Sequence, residues 1–199
     1  ILKLLLKRGA NANDVSQGGA SALYIACQEG HSECVAALIK YGANLNQQEY
    51  SRNAPPLFAA AQFNNVECVK LLTKAGCDVT IKTKTGSTAI VVAAQEGYAD
   101  VVVHLLPTSF EQLFKSMYLT SSHDRVEALR ILVESADTMY KSSNPNRFAF
   151  LLQKCLEPAT KARSVRCLRV LTSQQVKLDQ GKLDDAVRLA TTEGYIECM

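Results

Sequence analysis

At 199 residues, with 47% apolar, 21% charged and 7% aromatic side chains, the chain has enough apolar surface to bury a core and falls outside the disordered and fibrous classes. Twenty-two Lys and Arg against 19 Asp and Glu leave a net charge of +3, too near balance for bulk charge to announce a nucleic-acid partner. Its longest apolar runs, such as residues 89–94, fall far short of the roughly 20 residues of a membrane span, and no secretory signal pattern opens it.

In chain order, an apolar run that includes Leu5 stops at Gly9 with no helix before it. The chain thus opens inside a half-finished unit, and a parent protein that continues in both directions is the expectation. Residues 21–30 then read as a short helix opened by Ser21 as N-cap and closed by Gly30. Residues 32–41 predict a second helix, with Val35, Leu38 and Ile39 on one face and Gly42 ending it. Residues 43–53 are polar and rich in Asn, the composition of tight turns. This order of helix, turn, helix and loop then recurs. Gly9, Gly42 and Gly76 stand 33 and 34 residues apart, while Leu23, Leu57 and Ile90, like Ala26, Ala60 and Ala93, are separated by 34 and 33. One unit of that size has too little apolar surface to stand alone, so successive units must stack. The alanines let first helices approach closely, and the larger side chains of the second helices curve the stack.

In the second unit Pro56 opens the first helix, where a missing N–H costs nothing. The third unit runs from Gly86 to Tyr98 and continues through Val102 and Leu105 until Pro107 breaks it. Residues 128–136 and 167–171 still read as second helices. Their counterparts Ile131 and Val170 lie 39 apart, which predicts an insertion of about six residues in the loop-like stretch 137–146. Residues 186–195 repeat the ending of a first helix.

Residues 19–31, Gly-Ala-Ser-Ala-Leu-Tyr-Ile-Ala-Cys-Gln-Glu-Gly-His, followed by Val35 to Ala43, resemble the ankyrin repeat family, whose pattern is Gly-x-Thr-Pro-Leu-His-x-Ala-Ala-x-x-Gly-His and then Val-x-x-Leu-Leu-x-x-Gly-Ala. Residues 53–61 and 86–98 match more loosely, and beyond Leu106 the resemblance is degenerate. It implies an all-α, ankyrin-type solenoid of stacked helix-turn-helix repeats with intervening hairpin-like loops. One array would fill residues 1–199: 1–13 as a partial repeat, 14–46, 47–80 and 81–113 as repeats, 114–140 as a degenerate repeat, 141–176 as a degenerate repeat with the insertion, and 177–199 as a partial repeat. That makes a right-handed stack of about five complete helix pairs. The Thr-Pro-Leu-His tetrad is never intact. The hydroxyl-capped helix start is therefore expected in the first and third units only, and the stacking is expected to be looser than in a consensus array.

The family's variable positions, carried over one by one, imply a partner-binding face. They select Gln17, Gly18, Ala20, Gln28 and Glu29; then Ser51, Arg52, Ala54, Gln62 and Phe63; then Lys84, Thr85, Ser87, Gln95 and Glu96. Gln28, Gln62 and Gln95 would form a ladder with Phe63 beside it. An exposed aromatic among amides and an arginine is the composition of an interface hot spot, with solvated helix ends as the alternative.

Catalytic signatures are absent: there is no phosphate-binding Gly-x-x-x-x-Gly-Lys, no Gly-x-Gly-x-x-Gly, no His-Glu-x-x-His and no Gly-x-Ser-x-Gly. Asp184 and Asp185 suit a helix start better than paired acid–base work, because adjacent helix residues point about 100° apart. The seven cysteines include no Cys-x-x-Cys and the three histidines are scattered, so neither metal nor cofactor is expected. Cys34, Cys68 and Cys198 share a Glu-Cys context that reads as repeat packing. From Lys141 to Lys177 eight basic residues meet the single acid Glu157, and Lys161, Arg163, Arg166 and Arg169 form the densest part of a basic patch. A solvated outer face explains it most simply. An acidic protein surface is the next reading, and nucleic acid is the least supported, because few aromatics lie nearby for stacking. The sequence therefore predicts a non-enzymatic protein-interaction module or scaffold, intracellular, cytoplasmic or nuclear. The alternative is a regulatory or targeting segment of a larger enzyme or channel.

Overall fold

The computed structural model describes residues 1–106, 109–140 and 144–173. They form eleven helices: α1 (Leu2–Lys7), α2 (Ala22–Gln28), α3 (Ser32–Lys40), α4 (Pro56–Gln62), α5 (Val66–Lys74), α6 (Ala89–Glu96), α7 (Ala99–His104), α8 (Phe110–Ser122), α9 (Val126–Tyr140), α10 (Pro145–Lys161) and α11 (Val165–Thr172). Strand pairing among the described residues is limited to an isolated bridge between Val15 and Ser21. The chain divides into two compact units, residues 1–93 and 94–199.

The register of the helix pairs is set by backbone sign. Gly30, Asn64, Gly97, Asp124 and Arg163 all adopt positive φ, and each stands in the turn between a first and a second helix. A right-handed helix cannot propagate through a left-handed residue, so each of these positions forces the chain to reverse. Four packed pairs follow: α2 with α3, α4 with α5, α8 with α9 and α10 with α11. Gly9, Gly42 and Gly76, also at positive φ, end α1, α3 and α5 in the same way.

In the first unit α2 packs on α4, α1 on α3 and α3 on α5. Ala26, Ala59, Ala60 and Ala61 are buried, so two first helices approach through alanine, while Val35, Leu38, Val69 and Leu72 fill the layer between second helices. Ser21 caps α2 by accepting from the Tyr24 amide at 3.1 Å. The corresponding Thr88 departs from expectation: its hydroxyl is buried and makes no hydrogen bond, so hydroxyl capping holds in the first repeat and fails in the third.

In the second unit α8 packs on α10 and α9 on α11 around Leu113, Met117, Leu129, Leu132, Phe148, Leu151 and Leu152. Here three helices lengthen, α8 to 13 residues, α9 to 15 and α10 to 17. Residues 8–21, 41–55 and 75–88 connect the early pairs. Within the stretch read from sequence as a looped insertion, residues 137–140 and 145–146 are helical. The 15-residue α9 runs to Tyr140, and Asn144 caps the 17-residue α10 by accepting from the Arg147 amide at 3.2 Å, with Pro145 at its first position. Asn144 and Pro145 thus form a helix start. Likewise Ser109 caps α8 at Gln112, so that helix crosses the 113/114 division drawn from sequence. The reading of residues 186–195, Asp184, Asp185 and Cys198 lies outside the described residues.

Candidate partner-binding face

The loop between α3 and α4 is knit by one carboxylate. Glu49 is almost fully covered and accepts from the Ser51 amide (2.7 Å), the Ser51 hydroxyl (2.5 Å), the Arg52 amide (2.7 Å) and the Ala54 amide (3.3 Å). Burial alone would push its titration up. The Ser51 hydroxyl and the backbone amides of Arg52, Ser51 and Ala54 outweigh that and hold it below the usual carboxylate range.

This loop is then fastened on both sides. Tyr50 donates its amide to the Gly18 carbonyl at 2.9 Å, and a Cβ on Gly19 would collide with the Tyr50 ring. On the other side the Lys84 ammonium donates to the Tyr50 and Ser51 carbonyls, both at 2.7 Å, and the Lys84 amide donates to the Arg52 carbonyl at 2.8 Å. Arg52 bridges the loop to the first helices. Its guanidinium donates to the Gln62 side-chain oxygen at 3.1 Å and to the Tyr24 hydroxyl at 3.0 Å. Three successive loops therefore form one hydrogen-bonded ridge.

The residues selected from sequence are distributed unevenly over this ridge. Ser51, Arg52, Gln62 and Lys84 are brought into one network. Gln17 is exposed without a part in it, and Thr85 turns its hydroxyl to Thr83 at 3.0 Å. Gln28 donates to Glu29 at 3.2 Å. Phe63, the C-cap of α4, is 49% exposed and is not a core residue. Gln95 and Glu96, in the second unit, are half-buried, and the Gln95 carbonyl accepts from Arg125 at 3.2 Å. Glu49, Tyr24 and Tyr50 were missed. Tyr24 stands where the family pattern has its tetrad histidine, which was the available signal; a lone acid inside a polar loop offered none.

The basic patch is rearranged. Lys161 closes a 2.7 Å ion pair with Glu157, which raises its titration, and Arg163 is the left-handed turn residue rather than part of a helical stripe. Only Arg166 and Arg169 share a helix face, both exposed on α11. The surroundings shift the thiols in different directions, and the hydrogen bond from Cys27 pulls Cys68 down. A hydrogen bond to Cys68, together with burial, pushes the Cys27 thiol up, and burial pushes Cys155 up to about 12. Cys68 is buried and Cys34 half-buried.

The second unit also carries an aromatic face that the sequence reading overlooked, although Phe110, Phe114 and Tyr118 recur every four residues along α8. Phe110 meets Tyr140 edge-on at 5.8 Å and Phe150 at 6.3 Å, and Phe114 lies 6.2 Å from both Phe150 and Tyr118. Arg147 sits over the Phe110 ring at 5.3 Å and Lys154 over Phe150 at 5.7 Å. No helix among the described residues is long and apolar enough to cross a membrane.

A family model described as ankyrin repeats matches residues 1–83 and 57–146. Among curated proteins the chain is 28% identical over 104 residues to ankyrin repeat domain-containing protein 63 of Mus musculus, covering 51% of this chain and 27% of that protein. It is 24% identical over 177 residues to glycerophosphocholine phosphodiesterase gde1 of Schizosaccharomyces pombe, covering 75% of this chain and 16% of the relative. The chain therefore spans about a quarter or less of these relatives' lengths. Among solved structures, the crystal structure of the human ASB11 ankyrin repeat domain superposes with a TM-score of 0.71 at 24% identity, over 89% of this chain and 79% of that one. At that identity the likeness establishes an all-α ankyrin repeat fold and nothing further.

Proposed function

Because this chain belongs to the ankyrin repeat family, we propose that it works as a non-enzymatic protein-interaction module or scaffold. The partner meets the loop ridge and first-helix ends through Gln17, Gln28, Glu29, Ser51, Arg52, Gln62, Phe63, Lys84 and Thr85, and Gln95 and Glu96 extend the same positional rule. The observation that carries this reading is Phe63. A phenyl ring left half in water contributes little to folding, and it adjoins Gln62, whose amide is held by Arg52 in a loop knit by Glu49. An anchor on a pre-organised support binds without a large ordering cost. Arg166 and Arg169 would favour an acidic protein surface over nucleic acid. An intracellular setting agrees with the free cysteines at positions 27, 34, 68, 77, 155 and 167.

Selection of proteome-derived peptides displayed against the 199-residue chain tests this directly. A saturable set of peptides that compete with one another and lose binding on Phe63→Ala is expected; no saturable binder would defeat the proposal. The similarity to gde1, of which this chain covers 16%, favours a second reading in which the module regulates or targets a larger enzyme. Fusing the chain to a reporter and following its recruitment separates targeting from scaffolding.

A further inference from the structure

We infer that the exposed face of α8 and α10 is a second docking surface, for an acidic peptide segment with apolar anchors on a partner protein. Arg147, Phe150, Lys154, Glu157 and Lys161 follow one another at three- and four-residue steps and share one exposed stripe of α10. The three cations lie seven residues apart, about 10 Å each at 1.5 Å per residue, so positive charge recurs along the stripe at a regular interval. Glu157 is its only acid and is taken up by Lys161 at 2.7 Å. Neither Arg147 nor Lys154 meets a carboxylate among the described residues; both rest on ring faces instead.

The wall beside this stripe is Phe110, Phe114 and Tyr118. Phe150 is 44% and Tyr118 45% exposed, while the core side of the same helices is closed by Leu113, Met117, Leu151 and Leu152. Phe150 and Tyr118 are thus held outward, with Phe110 and Phe114 half-buried beside them, next to two cations that meet no carboxylate among the described residues, a combination that gains energy when apolar groups and negative charge arrive together. Single-stranded nucleic acid would need open ring faces. Here Arg147 covers Phe110 and Lys154 covers Phe150, and neighbouring rings tilt at 34° and 39°, which leaves no parallel slot for a base. Charge complementarity therefore selects an acidic peptide. This surface shares no residue with the loop ridge and does not rest on Phe63.

The test is fluorescence anisotropy with the 199-residue chain and three labelled probes: a peptide in which glutamates alternate with leucine and phenylalanine, the same peptide with lysine for glutamate, and a fifteen-nucleotide oligothymidylate. The acidic peptide is expected to bind saturably. Phe150→Ala and the double variant Arg147→Gln/Lys154→Gln should each weaken it about tenfold or more, and Phe63→Ala should leave it unchanged. The charge variant touches no core residue, so it carries the test should Phe150→Ala lower the melting temperature. Equal binding of acidic and lysine peptides, tighter binding of the oligonucleotide, or undiminished binding by the charge variant overturns the proposal.

Discussion

Asn65, which stands where His31 closes the corresponding stretch of the first repeat, ties its turn to the preceding first helix. Its amide donates to the Cys27 carbonyl at 2.8 Å and to the Gln28 carbonyl at 2.9 Å, the unsatisfied end of the preceding first helix. Asn65→Ala should cost about 1–2 kcal/mol in urea denaturation. Gly30→Ala should cost at least as much, because φ is +74° there and a Cβ would stand 2.7 Å from the Asn65 side-chain oxygen. Glu49 supplies the pH dependence. Its folded carboxyl titrates below the ordinary 4.5, so the stabilisation is complete above that value and is lost as pH falls beneath it through the folded pKa. Glu49→Gln should lower stability by roughly 1–3 kcal/mol at neutral pH and flatten the acid limb of a stability profile. A variant that keeps the full acid-induced loss would show that another carboxylate is responsible.

At the scale of elements, turns are joined to turns. Arg125 reaches back to Gln95, and Ser164 both donates to the Asp124 carboxylate and caps α11 by accepting from the Cys167 amide at 3.0 Å. Ser164→Ala removes a cap and a tie between successive turns, so a loss of about 1–2 kcal/mol is expected by thermal denaturation. Ser164→Thr should recover much of it. The early helices were legible because Gly9, Gly42 and Gly76 repeat with the buried leucines, and glycine at positive φ is a strong signal. The later register was obscured because Asp124 and Arg163 occupy, without being glycine, the left-handed turn position that Gly30 and Gly97 hold earlier. The loop ridge was half legible. Arg52 and Phe63 stand at variable positions, whereas the burial of Glu49 depends on amides contributed by neighbours in space.

On the scale of the whole molecule, the two units stabilise themselves differently. In residues 1–93 long polar connections are cross-linked by Tyr50, Arg52 and Lys84, so rigidity is placed in the loops that would meet a partner. In the second unit, long helices and short turns leave side chains on α8 and α10 as the accessible chemistry. The central claim is that Phe63 is held outward for a partner rather than used in folding. The most direct test is calorimetric titration of a selected peptide against the wild-type chain and Phe63→Ala, paired with their melting temperatures. Affinity should fall by roughly 1–3 kcal/mol while the melting temperature barely moves; a variant that melts much earlier yet binds the peptide unchanged would contradict the account.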